Sequence, residues 1–387
     1  MLAIPRIILL SMVLLALPLS ASGQIPLDDL YRGGEIRLVP EFVVTDQDLP
    51  DGIYFEGFEQ AWSIARDSAG VLYFADFGAN HLKVFNTDGT FQRIIGRQGA
   101  GPAEFNTPYF TTISDDRLVV WDMGNTRFCI LSLEGELLST RSLNRGEEGW
   151  PHRLQALPDG RILMESEKRH FENPREMSMQ VLRLYTRDLI FLRTVYQHEV
   201  QGQKWLPEEQ MYIPVPFTPR LHWGLNPDGR IILGFGDHYP IEVHDVDQGL
   251  LFSLDHDRSP ARVTRADREQ WFAGIVTSRD GMVREGAPDY IVKNTEFPRF
   301  MPAFDQILVD SDGNVLIHAY REGVQEERFR YRFYDTFDSE GTYLGEIRIA
   351  GEGWFPIGGA QIIDRCFITG ESAETGEIRL IKYRIGR

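Results

Sequence analysis

The side chains best equipped for chemistry in this chain are arginines and histidines at the ends of short apolar runs. His152 and Arg153, Arg220 and His222, and Arg299 stand at or before the start of such runs, as does Glu59, while Asp237, His238 and Arg321 follow the ends of others. Brought together, Arg and His with a few carboxylates would bind a carboxylate- or phosphate-bearing ligand, because a guanidinium meets a planar anion through two parallel bonds. The same set would equally make an arginine–carboxylate network filled with ordered water. Three imidazoles (His152, His222, His238) and a water would suit zinc, and oxygen ligands would suit calcium. Yet the chain has no Cys-x-x-Cys pair, no Cys/His cluster at zinc spacing and no Gly-x-Ser-x-Gly elbow for a nucleophile. No resident metal or cofactor is therefore expected, with calcium or zinc as the alternative.

Two further constellations draw the eye. Asp76 with Asn80, and Asp122 with Asn125, have the form of catalytic carboxylate–amide pairs. They recur, however, at the same place in successive units, and short Asx side chains at a repeated hairpin close turns by bonding nearby backbone N–H groups. Gly99 and Gly101 make too short a turn to cradle a dinucleotide and open no helix. That turn is expected to ease the crossing from one unit into the next.

The elements that must position these residues form a repeat. Tyr73 to Phe91 reads as strand, tight turn, strand, tight turn, strand, and Leu118 to Leu138 is a degraded copy. The same turn and β-rich run return at Pro158–Met164, Pro227–Leu233, Ser311–Ile317 and, weakest, Ile363–Thr369. Asp159-Gly160, Asp228-Gly229 and Asp312-Gly313 sit at equivalent places, and Asp-Gly between apolar runs is a strong hairpin signal. Four short strands in a unit of about 45 residues mark the blade of a β-propeller. The expectation is an all-β, six-bladed β-propeller with blades near 60–96, 109–145, 152–199, 220–263, 300–349 and 359–385. The last unit has room for three strands, so the run 36–44 is expected to close it and hide an open sheet edge. Function in such a ring is expected at the channel mouth where the innermost strands begin, which is where Glu59, His152, Arg153, Arg220, His222 and Arg299 would gather.

The spacing departs from the period twice. Gly160 and Gly229 stand 69 positions apart, and Gly229 and Gly313 stand 84 apart. The first excess holds 168–176, a long hairpin loop, and 202–219, whose prolines bar a regular helix or central strand. The second, 264–298, predicts a helical insertion between blades 4 and 5. Thr264 and Asp267 would cap the helix, and Trp271, Phe272, Ile275 and Val276 fall at helical spacing. Trp205, Tyr212, Trp271 and Trp354 would offer aromatic surface to a saccharide or peptide.

Ala75-Asp-Phe-Gly-Ala-Asn-His-Leu-Lys-Val-Phe85, followed by Gly99-x-Gly-Pro-x-Glu-Phe-x-x-Pro108, resembles the NHL-type six-bladed propellers of secreted bacterial proteins. The resemblance is specific over 60–145, fair over blades 3 to 5 and poor at the last blade. It implies the fold strongly and the function weakly, since that group includes ligand-binding modules, interaction platforms, and metal-dependent lyases and lactonases. The lyases hold a divalent ion on His from several blades, and the lactonases use Glu, Asn and Asp near the axis. No complete ligand set of either kind is present.

Arg6, the apolar run Ile7–Leu19 and the small residues Ser20–Gly23 read as a cleavable secretory signal over 1–23. The run is shorter than the ~20 residues of a spanning helix. A periplasmic or secreted protein is expected, cleaved near Gly23, with one propeller domain over 24–387. The formal charge of −17 repels phosphate backbones and argues against sequence-independent nucleic-acid binding. Cys129 and Cys366 lie in strand-like stretches of distant repeats and are expected to be buried thiols without a bridge. The functional expectation is an exported binding module for a protein, peptide or saccharide. The alternative is a divalent-metal-dependent lyase or lactonase-type hydrolase.

Overall fold

The computed structural model describes residues 27–57, 63–168, 178–279, 282–321, 331–350, 361–363, 366–372 and 378–386. The expected signal segment, Glu59, Trp354 and most of the expected loop at 168–176 lie outside these residues. A short helix α1 (Leu27–Tyr31) leads into a long strand β1 (Gly34–Val44). Four four-stranded antiparallel sheets contain β2–β5 (Ile64–Arg66, Leu72–Asp76, His81–Phe85, Phe91–Ile95), β6–β9 (Pro108–Ser114, Arg117–Asp122, Arg127–Ser132, Leu137–Ser142), β10–β13 (Trp150–Ala156, Ile162–Lys168, Ser178–Tyr185, Phe191–Val200) and β16–β19 (Leu221–Leu225, Ile231–Phe235, Ile241–Asp245, Gly249–Leu254). Helix α2 (Arg145–Glu148) joins the second sheet to the third, and the hairpin β14–β15 (Gln203–Leu206, Met211–Pro214) joins the third to the fourth. Helix α3 (Arg265–Ala273), the hairpin β20–β21 (Val276–Arg279, Met282–Glu285) and helix α4 (Asp289–Asn294) follow β19. The chain then forms β22–β25 (Gln306–Val309, Val315–His318, Tyr331–Phe337, Tyr343–Ala350) and β26–β28 (Gln361–Ile363, Cys366–Ser372, Ile378–Gly386).

These seven strands and β1 make one eight-stranded sheet, ordered β22-β23-β24-β25-β1-β28-β27-β26. The run expected to close the last unit does pair with it, antiparallel, from Arg37 opposite Gly386 to Val44 opposite Leu380. Its first residues also pair in parallel with β25, from Gly34 opposite Ile347 to Arg37 opposite Ala350. One strand thus carries the hydrogen bonds of two outer edges.

The turns follow from their residues. Gly160, Gly229 and Gly313 have φ of 82°, 83° and 88°, a backbone region closed to most L side chains, so Asp-Gly recurs at these hairpins. The second strands β3 and β7 are almost wholly buried, because the first and second sheets pack apolar residues on both faces. That explains why Leu72–Ala75 and Leu118–Trp121 are continuous apolar runs and do not alternate. Outer strands such as β9 and β13 are largely exposed.

The core is divided into apolar clusters between adjoining sheets. Val84 and Leu82 meet Leu118 and Val120, Trp121 and Phe128 meet Met164 and Tyr185, Leu163 and Leu182 meet Trp223 and Leu233, and Ile232 and Val243 meet Ile317 and Phe337. Within the eight-stranded sheet, Leu316 and Ile347 meet Ile36, Phe367 and α1. Val44, Ile368 and Leu380 in turn pack against Ile64, Leu72, Phe74 and Phe85 of the first sheet. The structure is an all-β propeller fold.

The motifs set aside as structural have structural partners. Asp76 is fully buried, pairs with Lys83 Nζ at 2.6 Å, and accepts from the N–H groups of Ala79 and Glu56. Asp122 accepts from Asn106 N–H, Asn125 and Arg127. Arg127 also donates to the carbonyls of Ala100, Gly101 and Glu104, and Gly101 N–H donates to the Glu104 carboxylate. The Gly99–Phe105 turn is thereby clipped to the second sheet. Both cysteines are buried thiols without a bridge, and burial pushes Cys129 up to about 11.

Candidate functional site

In an antiparallel meander, connections from second to third strands and from outermost to next innermost strands fall on one face. Both long insertions leave an outermost strand (β13, β19) and enter an innermost one (β16, β22), so both rise from the face where innermost strands begin. The sequence placed its basic residues on that face.

Of those, four stand on or immediately before two innermost strands. His152 and Arg153 belong to β10, Arg220 precedes β16, and His222 lies within it. The buried Glu167 at the end of β11 joins the two sheets, with Arg220 Nη1 at 3.2 Å and His152 Nε2 at 3.7 Å from its Oε2. Arg153, 8% exposed, lies over the Trp223 ring, its guanidinium carbon 4.0 Å from the centroid. It donates to the Trp223 carbonyl and, at 2.8 Å, to Gln155 Oε1. Trp223 Nε1 in turn donates to Glu165 at 2.8 Å. Burial pulls the Arg153 pKa down to about 9, against the pull of Glu165.

His222 packs edge-on to Phe304, with ring centroids 5.9 Å apart. Burial takes its pKa down to about 4, with Arg220, Arg153 and His318 adding to the shift and Asp305 opposing it. His222 is thus neutral at neutral pH. Asp305 bonds His318 Nδ1 through one oxygen and accepts from Tyr320 Oη at 2.7 Å through the other. Burial alone would raise its pKa, but His318, Tyr320 and Arg332 hold it below the ordinary carboxylate range.

The remaining predicted residues stand elsewhere. Asp237 and His238 bond each other on an exposed loop. Arg299 is exposed, its guanidinium 5.1 Å from the Phe300 ring. Arg321 pairs with Glu346 and stacks 5.6 Å from Phe333, in a group with Arg258 and the fully buried Asp335. The expected histidine trio is therefore dispersed: His152 joins Glu167, His222 faces Phe304, and His238 joins Asp237. Among the described residues no group of three or more His, Cys, Asp or Glu side chains is placed to hold a metal ion.

Asp305 and His318 escaped the sequence reading, though a signal existed. Counting five residues from each turn residue, Gly70 leads to Ala75, Asp116 to Trp121, Gly160 to Glu165, Gly229 to Gly234 and Gly313 to His318. An ionisable side chain at this inward position breaks the apolar rule of the first two units, and Glu165 and His318 are the two that do so.

The insertions merge beside this polar face. Thr264 and Asp267 form the expected capping box of α3. Trp271, Phe272 and Ile275 pack on Leu206 and Ile213 of the hairpin β14–β15 and on Ile291 of α4. Lys204 Nζ reaches Asn294 O at 3.2 Å and Glu296 Oε1 at 3.1 Å, and Trp205 pairs with Tyr212 across the hairpin at 4.8 Å. Phe297 touches Trp271, Phe272 and Phe217, while Phe217 and Tyr320 belong to one apolar cluster with Met301. The lobe is thereby anchored to the Asp305–Tyr320 corner. No helix among the described residues is long and apolar enough to cross a membrane.

Residues 64–147 match a family model described as a 6-bladed beta-propeller. No curated protein matches the chain. Among solved structures, a member of the duf4221 family from Bacteroides vulgatus superposes with a TM-score of 0.51 at 10% identity, covering 91% of this chain and 99% of that one. Virginiamycin B lyase from Staphylococcus aureus gives 0.40 at 11% identity, covering 89% and 99% of the two chains. A gluconolactonase from Xanthomonas campestris gives 0.41 at 14% identity, covering 89% and 97%. At 10% identity the likeness to the first of these is one of fold alone.

Proposed function

We propose that this chain is an exported, NHL-type six-bladed propeller that works as a binding module, receiving a peptide, protein or saccharide on the face from which its two insertions rise. The six-bladed count treats the eight-stranded sheet as two blades zipped together by β1. The packing of Val44, Ile368 and Leu380 on the first sheet supports closure of the ring through the same strand. Export follows from the basic, apolar and small-residue order of 1–23.

The observation that carries the binding role is the fusion of two separate insertions into one aromatic lobe beside the Glu167–Arg220 and Asp305–His318 groups. Closing the ring requires neither insertion, and long additions to a rigid scaffold are a common seat of recognition. The lobe keeps Tyr212 and Phe300 partly exposed, with Arg299 over the latter. Flat rings near an exposed cation suit a sugar face or an aromatic or acidic peptide.

Peptide and glycan arrays probed with the purified chain should return hits that weaken at least tenfold in Tyr212→Ala and Phe300→Ala, with unchanged thermal midpoints. Hits indifferent to both substitutions, or an absence of hits, would overturn the assignment.

A further inference from the structure

The ring axis holds a second feature, at the end opposite the insertions. A cavity of about 380 Å³ runs between the innermost strands, within the range of small-molecule sites. Its rim is made by first-hairpin turns at Pro158, Pro227 and Ser311. Its walls combine branched aliphatics, Ile113 of β6, Leu225 of β16, Ile307 and Val309 of β22 and Ile362 of β26, with polar Asn226 and Asp310. Its inner end is Arg153 with Gln155. Arg153 lies four residues before Leu157 at the rim, about 13 Å along an extended strand. A cation thus stands at the bottom of a shaft whose wall is part aliphatic and part polar.

The other ionisable wall residue is engaged in its own turn. Asp310 accepts from the N–H groups of Asp312 and Asn314 through one oxygen and from Asn314 Nδ2 through the other, and burial raises its pKa. The Arg153 guanidinium is held in place by the Trp223 ring and carbonyl and by Gln155. Its charge is therefore presented at a fixed position and does not depend on a flexible stem finding the ligand.

We infer that the axial cavity is a binding site for a small carboxylate with an unbranched or slender apolar body, its carboxylate directed to Arg153 and its body lying against the aliphatic wall. Burying an anion beside a buried guanidinium returns electrostatic stabilisation that the cation lost on leaving water. The aliphatic wall gains by excluding water from the ligand's body. A neutral molecule of the same shape gains only the second effect. The site is separate in space from the lobe, so the two assignments fail independently.

Octanoate and 1-octanol are suitable probes, measured by titration calorimetry on the whole chain. Octanoate should bind once per chain, and octanol about 10- to 100-fold more weakly, the difference expected for charge-assisted hydrogen bonds. Arg153→Met should bring the two probes to similar affinity. Leu225→Trp, which fills the shaft above an intact Arg153, should abolish octanoate binding while circular dichroism and the thermal midpoint remain those of a folded chain. If Arg153→Met does not fold, the wild-type comparison and Leu225→Trp decide the matter. Equal affinity for the two probes in the wild type, no binding of octanoate, or octanoate binding that survives Leu225→Trp would each overturn the inference.

Discussion

A buried charge is tolerated in this protein where it has a specific partner, and two such residues give measurable predictions. Lys83 and Asp76 are both fully buried, and the Lys83 ammonium also lies 5.4 Å from the Phe55 ring centroid. Lys83→Met should destabilise by about 3–5 kcal/mol, because Asp76 is left as a buried charge without its cation. Adding Asp76→Asn should recover part of that loss, and chemical denaturation of the single and double variants checks it. His222 makes a pH prediction. Its folded pKa, about 4, lies below the ordinary value of 6.5, so the unfolded chain takes up a proton first as pH falls. The stability tied to neutral His222 is present above pH 6.5 and is lost progressively toward pH 4. The loss is at most about 3 kcal/mol for a shift of this size. Comparing wild type with His222→Gln in urea at pH 7 and pH 4 isolates this part from the carboxylates, and an identical pH slope in both would refute it. The sequence identified His222 as basic equipment for a mouth. It did not disclose that Phe304, Asp305 and His318 surround it, because those residues come from the entry to β22 and the end of β23, more than 80 positions later.

Elements were legible where local chemistry fixes them. Asp-Gly turns, the Thr264–Asp267 capping box and the Gly99–Phe105 crossing each depend on residues within a few positions of one another, so the chain displays them directly. The capping box gives a graded test: Thr264→Ala should weaken α3 by about 1 kcal/mol. The effect should appear as faster amide exchange over 265–273, with protection in β16–β19 unchanged, since α3 packs on the lobe. The partnership of the two insertions was not legible, because Lys204 and Leu206 meet Asn294 and Trp271 only after an entire sheet has formed between them. Arg321 shows the same limit. Its position after β23 pointed to the mouth, but Glu346 and Phe333, on later strands, draw it into the Asp335 group.

At the scale of the whole molecule the telling contact is between the two ends of the chain. Pattern alone suggested that 36–44 would join the last unit, and β1 does so while also pairing with β25. What the pattern left out is how the first sheet is covered: Phe74 and Phe85 pack against Val44, Ile368 and Leu380, far apart in sequence. If this seam closes a ring, every sheet has two neighbours and none can unfold without uncovering both. Phe74 is fully buried in the seam, and Phe74→Ala should cost about 3–5 kcal/mol by leaving a cavity. In a closed ring that cost is shared, so one transition moves to lower denaturant while remaining single. Trp121 and Trp223 are buried in the second and fourth sheets, away from the seam, and contribute fluorescence from those sheets, whereas circular dichroism averages over all strands. The two signals should shift together in Phe74→Ala and stay coincident. An open array would behave differently, with the first sheet melting ahead of its neighbours and dichroism leaving its baseline before fluorescence does. A split of that kind would remove the closed ring and restrict β1 to stapling the last two sheets.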